Sequence, residues 1–190
     1  MRVISGTAGR RRLNSLKGQD TRPTADRVKE SLFNILQGRI IGAYVLDLFA
    51  GSGALGIEAL SRGSDLAVFI EKNPAATDVI KSNLQIVSFK DNSEIYETDA
   101  LKFLEVVKKQ FDIIFIDPPY MSALYEIIFD SILKNNVLTP SGVISVEYKT
   151  GVKPVLPSYF KIITDKKYGN VSILIAKQKE DDNETSCLSR

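Results

Sequence analysis

Four segments that read as strands each meet a carboxylate at or near their end, and that repetition limits the folds open to this chain. Val45–Phe49 carries Asp47 just ahead of a glycine loop, Leu66–Ile70 stops at Glu71, Glu94–Thr98 stops at Asp99, and Phe111–Ile116 stops at Asp117. Most of these runs are short and nearly continuously apolar, as parallel strands covered on both faces should be. Helical stretches separate them. One follows the glycine loop to about Arg62 and is stopped by Gly63; Pro74 can open the next, with Val79, Ile80 and Leu84 facing inward. Two more follow, from Asp99 through Lys109 and over roughly 123–135. Gly142–Glu147 reads as a fifth strand, and Phe160–Thr164 with Val171–Ala176 flanks a Lys-Lys-Tyr-Gly-Asn turn, the pattern of an antiparallel hairpin. The order predicts an α/β sandwich around a mostly parallel seven-stranded sheet that ends in the hairpin. Ligands of such sheets bind beyond the carboxyl ends of the strands, where these acids would stand.

The 190 residues fit one catalytic domain, expected over 41–178. Ahead of it, residues 1–40 carry nine Lys/Arg against three acids, whereas the remainder is net negative. A basic extension on a near-neutral body is a footprint of nucleic-acid binding, and an ordinary solvated charged face is the plainer reading. Within it, Met1–Leu13 reads as a small hairpin or extended arm, and Thr24 as the N-cap of a helix with Val28, Leu32, Ile35 and Leu36 on one face. Arg10, Arg11, Arg12, Arg22 and Arg27 are the phosphate-contact candidates, and Tyr168 at the hairpin tip is a candidate wall for a base or an ordinary hairpin tyrosine. Residues 179–190 read as a disordered polar tail.

Histidine is absent and the single cysteine, Cys187, lies in that tail. Ser-His-Asp and Cys-His nucleophilic systems are thereby excluded, as are His- or thiolate-ligated zinc sites. No metal is expected. One cysteine and no run of 18 apolar residues point to a cytoplasmic protein without a membrane span.

Gly51-Ser52-Gly53-Ala54-Leu55-Gly56 satisfies the dinucleotide-binding pattern G-x-G-x-x-G, with Glu71 about 20 residues on. Charge decides against a dinucleotide. A pyrophosphate favours an uncluttered helix N-terminus, but Asp47 precedes the loop and Asp99 and Asp117 close neighbouring strands. That edge suits a ligand bearing an ammonium and a sulfonium, S-adenosylmethionine. Glu71 can accept both ribose hydroxyls and Asp99 a hydrogen bond from the adenine amine, although Asp99 is also well placed to cap its own helix. The cofactor set is Asp47, Phe49, Gly51, Gly53, Glu71, Lys72, Asp99 and Ala100.

Asp117-Pro118-Pro119-Tyr120 supplies a carboxylate, two rigid prolines and an aromatic ring at one strand end. An exocyclic base amine is a weak nucleophile because its lone pair is delocalised into the ring. Asp117 and the Pro118 carbonyl can accept its two N–H groups and free that lone pair, while Tyr120 stacks on the base for roughly 1–3 kcal/mol. Asp117 can act as acceptor or as base.

Val45-Leu46-Asp47-Leu48-Phe49-Ala50-Gly51-Ser52-Gly53-Ala54-Leu55-Gly56-Ile57-Glu58-Ala59-Leu60-Ser61-Arg62-Gly63 resembles the first motif of class I methyltransferases, a Rossmann-like fold. More narrowly, it is similar to the RsmD type of bacterial small-subunit ribosomal RNA guanine-N2 methyltransferase. Arg22-Pro23-Thr24-Ala25-Asp26-Arg27-Val28-Lys29-Glu30-Ser31-Leu32-Phe33-Asn34-Ile35-Leu36 resembles that family's N-terminal signature, and Asp117–Tyr120 its catalytic motif. The likeness runs from about Met1 to Ala176. It implies methyl transfer to guanine N2 in 16S ribosomal RNA, with that RNA or the assembling small subunit as partner. Adenine-N6 or protein glutamine-amide transfer, an RNA-binding assembly factor with a vestigial cofactor site, and a dehydrogenase are the competing readings.

Overall fold

Pairing of the apolar runs determines which polar strand ends meet. The computed structural model describes residues 1–16, 23–118 and 122–179. Among these, the helices are α1 (Pro23–Ile35), α2 (Ala54–Ser61), α3 (Pro74–Val87), α4 (Ala100–Val106) and α5 (Ser122–Lys134). The strands are β1 (Tyr44–Asp47), β2 (Leu66–Glu71), β3 (Ser93–Glu97), β4 (Phe111–Ile116), β5 (Leu138–Lys149), β6 (Phe160–Tyr168) and β7 (Val171–Gln178). They form one sheet in the order β3-β2-β1-β4-β5-β7-β6. Strand β7 alone runs opposite to the other six. Strand order reverses between β1 and β4, which places the switch point beside the glycine loop. The Rossmann-like sandwich and its terminal hairpin are as expected.

Alternation along each strand sorts side chains onto two faces. Leu46, Ile114, Ile116 and Val146 pack with α4 and α5. Val45, Ile113, Phe115 and Val143 meet α1 through Val28, Leu32, Phe33 and Leu36. Ala67 and Phe69 of β2 continue that second face under α2 and α3. Phe33, Phe69, Phe111, Phe115 and Phe129 are fully buried, each contributing about 1.5–3 kcal/mol of apolar transfer. No helix among the described residues is long and apolar enough to cross a membrane.

Several boundaries differ from expectation, each for a local reason. Helix α1 already includes Pro23, so Thr24 lies in its first turn and is not the cap; proline's fixed φ suits that position. Helix α4 ends at Val106 rather than near Lys109, with Val107 extended (φ −64, ψ 135). Strand β5 starts at Leu138, and its pairing with β4 shifts between Phe111 and Ile113, an irregularity that accommodates Pro140 in a strand. The expected five-residue hairpin turn contracts to Gly169-Asn170, because Lys166, Lys167 and Tyr168 of β6 all pair with β7. Gly169 has φ +64, as the first position of a two-residue primed turn requires.

The N-terminal segment is a hairpin closed by an Arg2–Arg12 bridge and docked on α2. Glu58, wholly buried, accepts from the Ile4 and Ser5 N–H groups at 2.7 and 3.0 Å and pairs with Lys29 at 3.3 Å and Arg62 at 2.8 Å. Lys29 also donates to the Arg2 carbonyl at 2.7 Å, and burial lowers its pKa. Gly6 (φ +84) passes so close to α2 that a Cβ there would lie 1.8 Å from the Ser61 carbonyl oxygen. Hairpin, α1 and α2 thus share one buried charge cluster.

Candidate active site

The glycine loop assembles from three glycines with separate duties. Gly51 (φ +54) has no atom within 4 Å of a would-be Cβ, so its backbone borders open space. Gly53 takes φ +79 to turn the chain into α2. At Gly56 a Cβ would lie 2.3 Å from the Phe69 ring, so glycine allows α2 to pack directly on β2. These are the turn, close-approach and packing roles that such loops assign.

Acids hold the loop in place. The Gly51 and Asn73 N–H groups donate to the two Glu71 oxygens at 2.9 and 2.8 Å. Each carboxylate oxygen retains a further lone-pair site for a ligand. The Gly56 N–H donates to Asp47 Oδ2 at 3.1 Å. Asp47 is buried, and its pKa rises to about 7, first through lost hydration and then through repulsion from Asp117 and Glu71. A carboxylate in that state gains most from a cation beside it and least from a phosphate. Asn83, buried in α3, donates to the carbonyls of Ser52 and Asn14 and accepts from the Asn14 N–H. It ties the loop to the N-terminal segment, a role that sequence reading missed.

Asp99 caps α4, its Oδ1 accepting from Leu101 and Lys102 N–H groups at 2.9 and 3.4 Å. That engages one oxygen of the carboxylate. Ala100 behind it is buried, Phe49 is half-buried against the α4–α5 core, and Lys72 is exposed after Glu71. The cofactor set expected from sequence therefore lies along the ends of β1, β2 and β3.

Asp117 directly follows β4, the neighbour of β1 across the switch point. Water reaches its side chain, while Pro118 is buried. The protein wall around the carboxylate strips enough hydration to raise its pKa to about 6. The proposed partners Pro119 and Tyr120, like Arg22 and the tail from residue 180, lie outside the described residues.

The arginines separate into two groups. Arg10 (φ +71) and Arg27 share a cleft of about 430 Å³ with Arg2, Val3, Ile4, Asp26 and Glu30. Arg2 also pairs with Asp26 at 3.2 Å; it was not singled out from sequence. Arg11 points elsewhere, donating to the Ile86 carbonyl at the end of α3. Arg12 is exposed beside the Arg2 bridge. Tyr168, half-buried at the end of β6, hydrogen-bonds Ser31 of α1 through its hydroxyl and packs on the α1 core.

Residues 1–177 match the family model described as Conserved hypothetical protein 95. The ribosomal RNA small subunit methyltransferase D of Haemophilus influenzae is 37% identical over 175 residues, covering 90% of this chain and 91% of that protein. Its namesake from Escherichia coli is 35% identical over 174 residues, covering 90% and 87%. The solved structure of yhhF from Escherichia coli superposes with a TM-score of 0.85 at 32% identity, over 95% of this chain and 99% of that one. By that match and these identities, the chain belongs to the Conserved hypothetical protein 95 family, that of the RsmD methyltransferases.

Proposed function

We propose that this protein transfers a methyl group from S-adenosylmethionine to the exocyclic N2 amine of a guanine in 16S ribosomal RNA. The observation that carries this reading is the adjacency of Asp117-Pro118 to a glycine loop whose surroundings are acidic, in a chain related over nearly its whole length to small-subunit methyltransferases.

When bound, the cofactor supplies an electrophilic methyl group on a sulfonium. Gly51 and Gly53 give it backbone room, Glu71 accepts its ribose hydroxyls, and Asp99 with Ala100 borders its adenine; Phe49 and Lys72 line the same edge. Asp47, buried with a raised pKa, favours the positive end of the ligand. Asp117 accepts an N–H of the target amine and the Pro118 carbonyl the other, which aims the lone pair. Holding the amine in that attitude is worth up to about 7–11 kcal/mol of barrier through effective molarity. Once the amine has become cationic, an Asp117 oxygen with a pKa raised towards neutrality is suited to take its proton. Pro119 stiffens the strand exit and Tyr120 stacks on the base.

Residues 1–40 form the RNA-contacting extension in this reading, on a methyltransferase domain of residues 41–178. Arg10 and Arg27, with Arg2, hold phosphate in their shared cleft, and Arg12 and Arg22 extend the basic surface. Arg11 contributes charge from its anchored position, and Tyr168 borders the base from the far end of the edge. No metal takes part.

Mass-spectrometric mapping of nucleosides in small-subunit RNA, from cells with and without this protein, tests the assignment. Loss of one N2-methylguanosine is expected. Loss of an N6-methyladenosine instead would transfer the reading to adenine, and an unchanged profile would refute RNA methylation.

A further inference from the structure

A fifth carboxylate near the sheet's carboxyl edge, Glu147, just past the last β4 pair of β5, has no part in the scheme above. Strands β4 and β5 run parallel with Ile116 opposite Val146. The next residues, Asp117 and Glu147, therefore stand side by side about one strand spacing apart, ~4.8 Å. Ile116 and Val146 belong to the core under α4 and α5, so alternation turns both acids to the other face, the one covered by α1.

The backbone of Glu147 is firmly held. It pairs with Ile173 of β7, and its carbonyl accepts from the Tyr125 hydroxyl at 3.0 Å. Its neighbours Val146 and Tyr148 are buried, yet its own side chain is only half-buried. Among the described residues the carboxylate has no hydrogen-bond or ion-pair partner. Lost hydration and the charge of Asp117 both raise its pKa.

Two carboxylates set side by side without a cation between them repel each other, and folding gains nothing from that arrangement. A flat ligand with two adjacent N–H donors gains from it directly. Guanine is the standard RNA base with such an edge, its N1–H lying next to the N2 amine. Adenine and cytosine place a ring-nitrogen lone pair beside the amine, and a carboxylate would repel it.

Resting on the assignment of guanine N2 as the methyl acceptor, we propose that Glu147 determines base specificity by accepting a hydrogen bond from guanine N1–H while Asp117 accepts one from the N2 amine. One carboxylate thus orients the reacting amine and the other identifies the ring that carries it.

The test uses the full-length protein and small-subunit RNA carrying either guanine or 2-aminopurine at the mapped position. 2-Aminopurine keeps the amine but replaces N1–H with a lone pair. Wild type is expected to prefer guanine by roughly 10- to 100-fold in kcat/KM, the range of a hydrogen bond to a charged acceptor. In Glu147→Ala that preference should collapse to about unity, with the same loss in cofactor-free RNA affinity and with S-adenosylmethionine binding retained. Glu147→Gln, of nearly the same shape, retains a neutral acceptor oxygen and should show an intermediate preference; it decides the matter if the alanine variant does not fold. A guanine preference equal to wild type in the variants that fold overturns the role of Glu147 alone. Failure of wild-type protein to methylate the guanine substrate overturns the underlying assignment instead.

Discussion

The two halves of the sheet's carboxyl edge are built differently. On the β1–β2–β3 side, acids are engaged with backbone: Asp47 with Gly56, Glu71 with Gly51 and Asn73, Asp99 with the first turn of α4. Those bonds shape a cradle, and in the proposed function the same residues also hold the cofactor. On the β4–β5 side, Asp117 and Glu147 have no hydrogen-bond or ion-pair partner among the described residues; lost hydration raises the proton affinity of both, and the Asp117 charge adds to that of Glu147. In the proposed function that half receives the incoming base. Substitutions on the first side should therefore disturb stability and cofactor binding together, and those on the second should cost rate or specificity alone.

Asp117→Ala is expected to have the largest effect, a fall of about 10²–10³ in single-turnover methyl transfer, by analogy with loss of one preorganised polar group. The melting temperature and S-adenosylmethionine affinity should remain near wild type; a parallel loss of cofactor affinity would erase the contrast between the halves. Next, Gly56→Ala forces a methyl against the Phe69 ring and should destabilise the fold by about 1–3 kcal/mol. Denaturant unfolding measures this, and calorimetry should show weaker cofactor binding in the same variant.

Asp47 offers a smaller effect with a definite pH sign. Its pKa is about 7 folded against an ordinary 3.8, so the native state binds the proton more tightly. Stability is lost as pH rises between those values, by on the order of 4 kcal/mol once ionisation is complete. Asp47→Asn escapes that penalty but leaves amide donors unpaired at roughly 1–3 kcal/mol. A net gain of about 1–3 kcal/mol at pH 8 is expected, shrinking or reversing at pH 5, at the expense of cofactor affinity. Thermal melts at the two pH values decide it, and a pH-independent difference would contradict the buried-carboxylate account. Smallest is the basic cleft: Arg10→Ala or Arg27→Ala should lower the log–log salt slope of RNA binding by up to about 0.9 each. Arg11→Ala, anchored on α3, should change it less, and an equal change would show that position in the cleft is unimportant.

The glycine loop and its acids are legible in the chain because their determinants are local. Gly51, Gly53 and Gly56 sit within six residues, and Glu71 ends the next strand. The β4–β5 side is legible only in part. Gly142–Glu147 was recognised as a strand, and a carboxylate at the end of a parallel strand is the same signal that picked out Asp47, Glu71 and Asp117. Its significance depends on β5 lying next to β4, and strand adjacency is a long-range pairing that no local pattern encodes. The docking of the basic extension is not legible for a similar reason. Lys29, one of its nine cations, pairs with Glu58, and Arg11 is anchored on α3, whereas Arg2, not singled out from sequence, shares the cleft with Arg10 and Arg27.

Periodicity, turn chemistry and charge pattern determined the α/β class and the acid-rich carboxyl edge of the sheet, since each follows from residues close together in the chain. Tertiary structure alone decided which acids are engaged with backbone and which have no partner among the described residues. It also separated the arginines that share a cleft from those that brace the fold. Both outcomes depend on register and docking between distant segments, where the deciding quantity is the distance between two side chains in space.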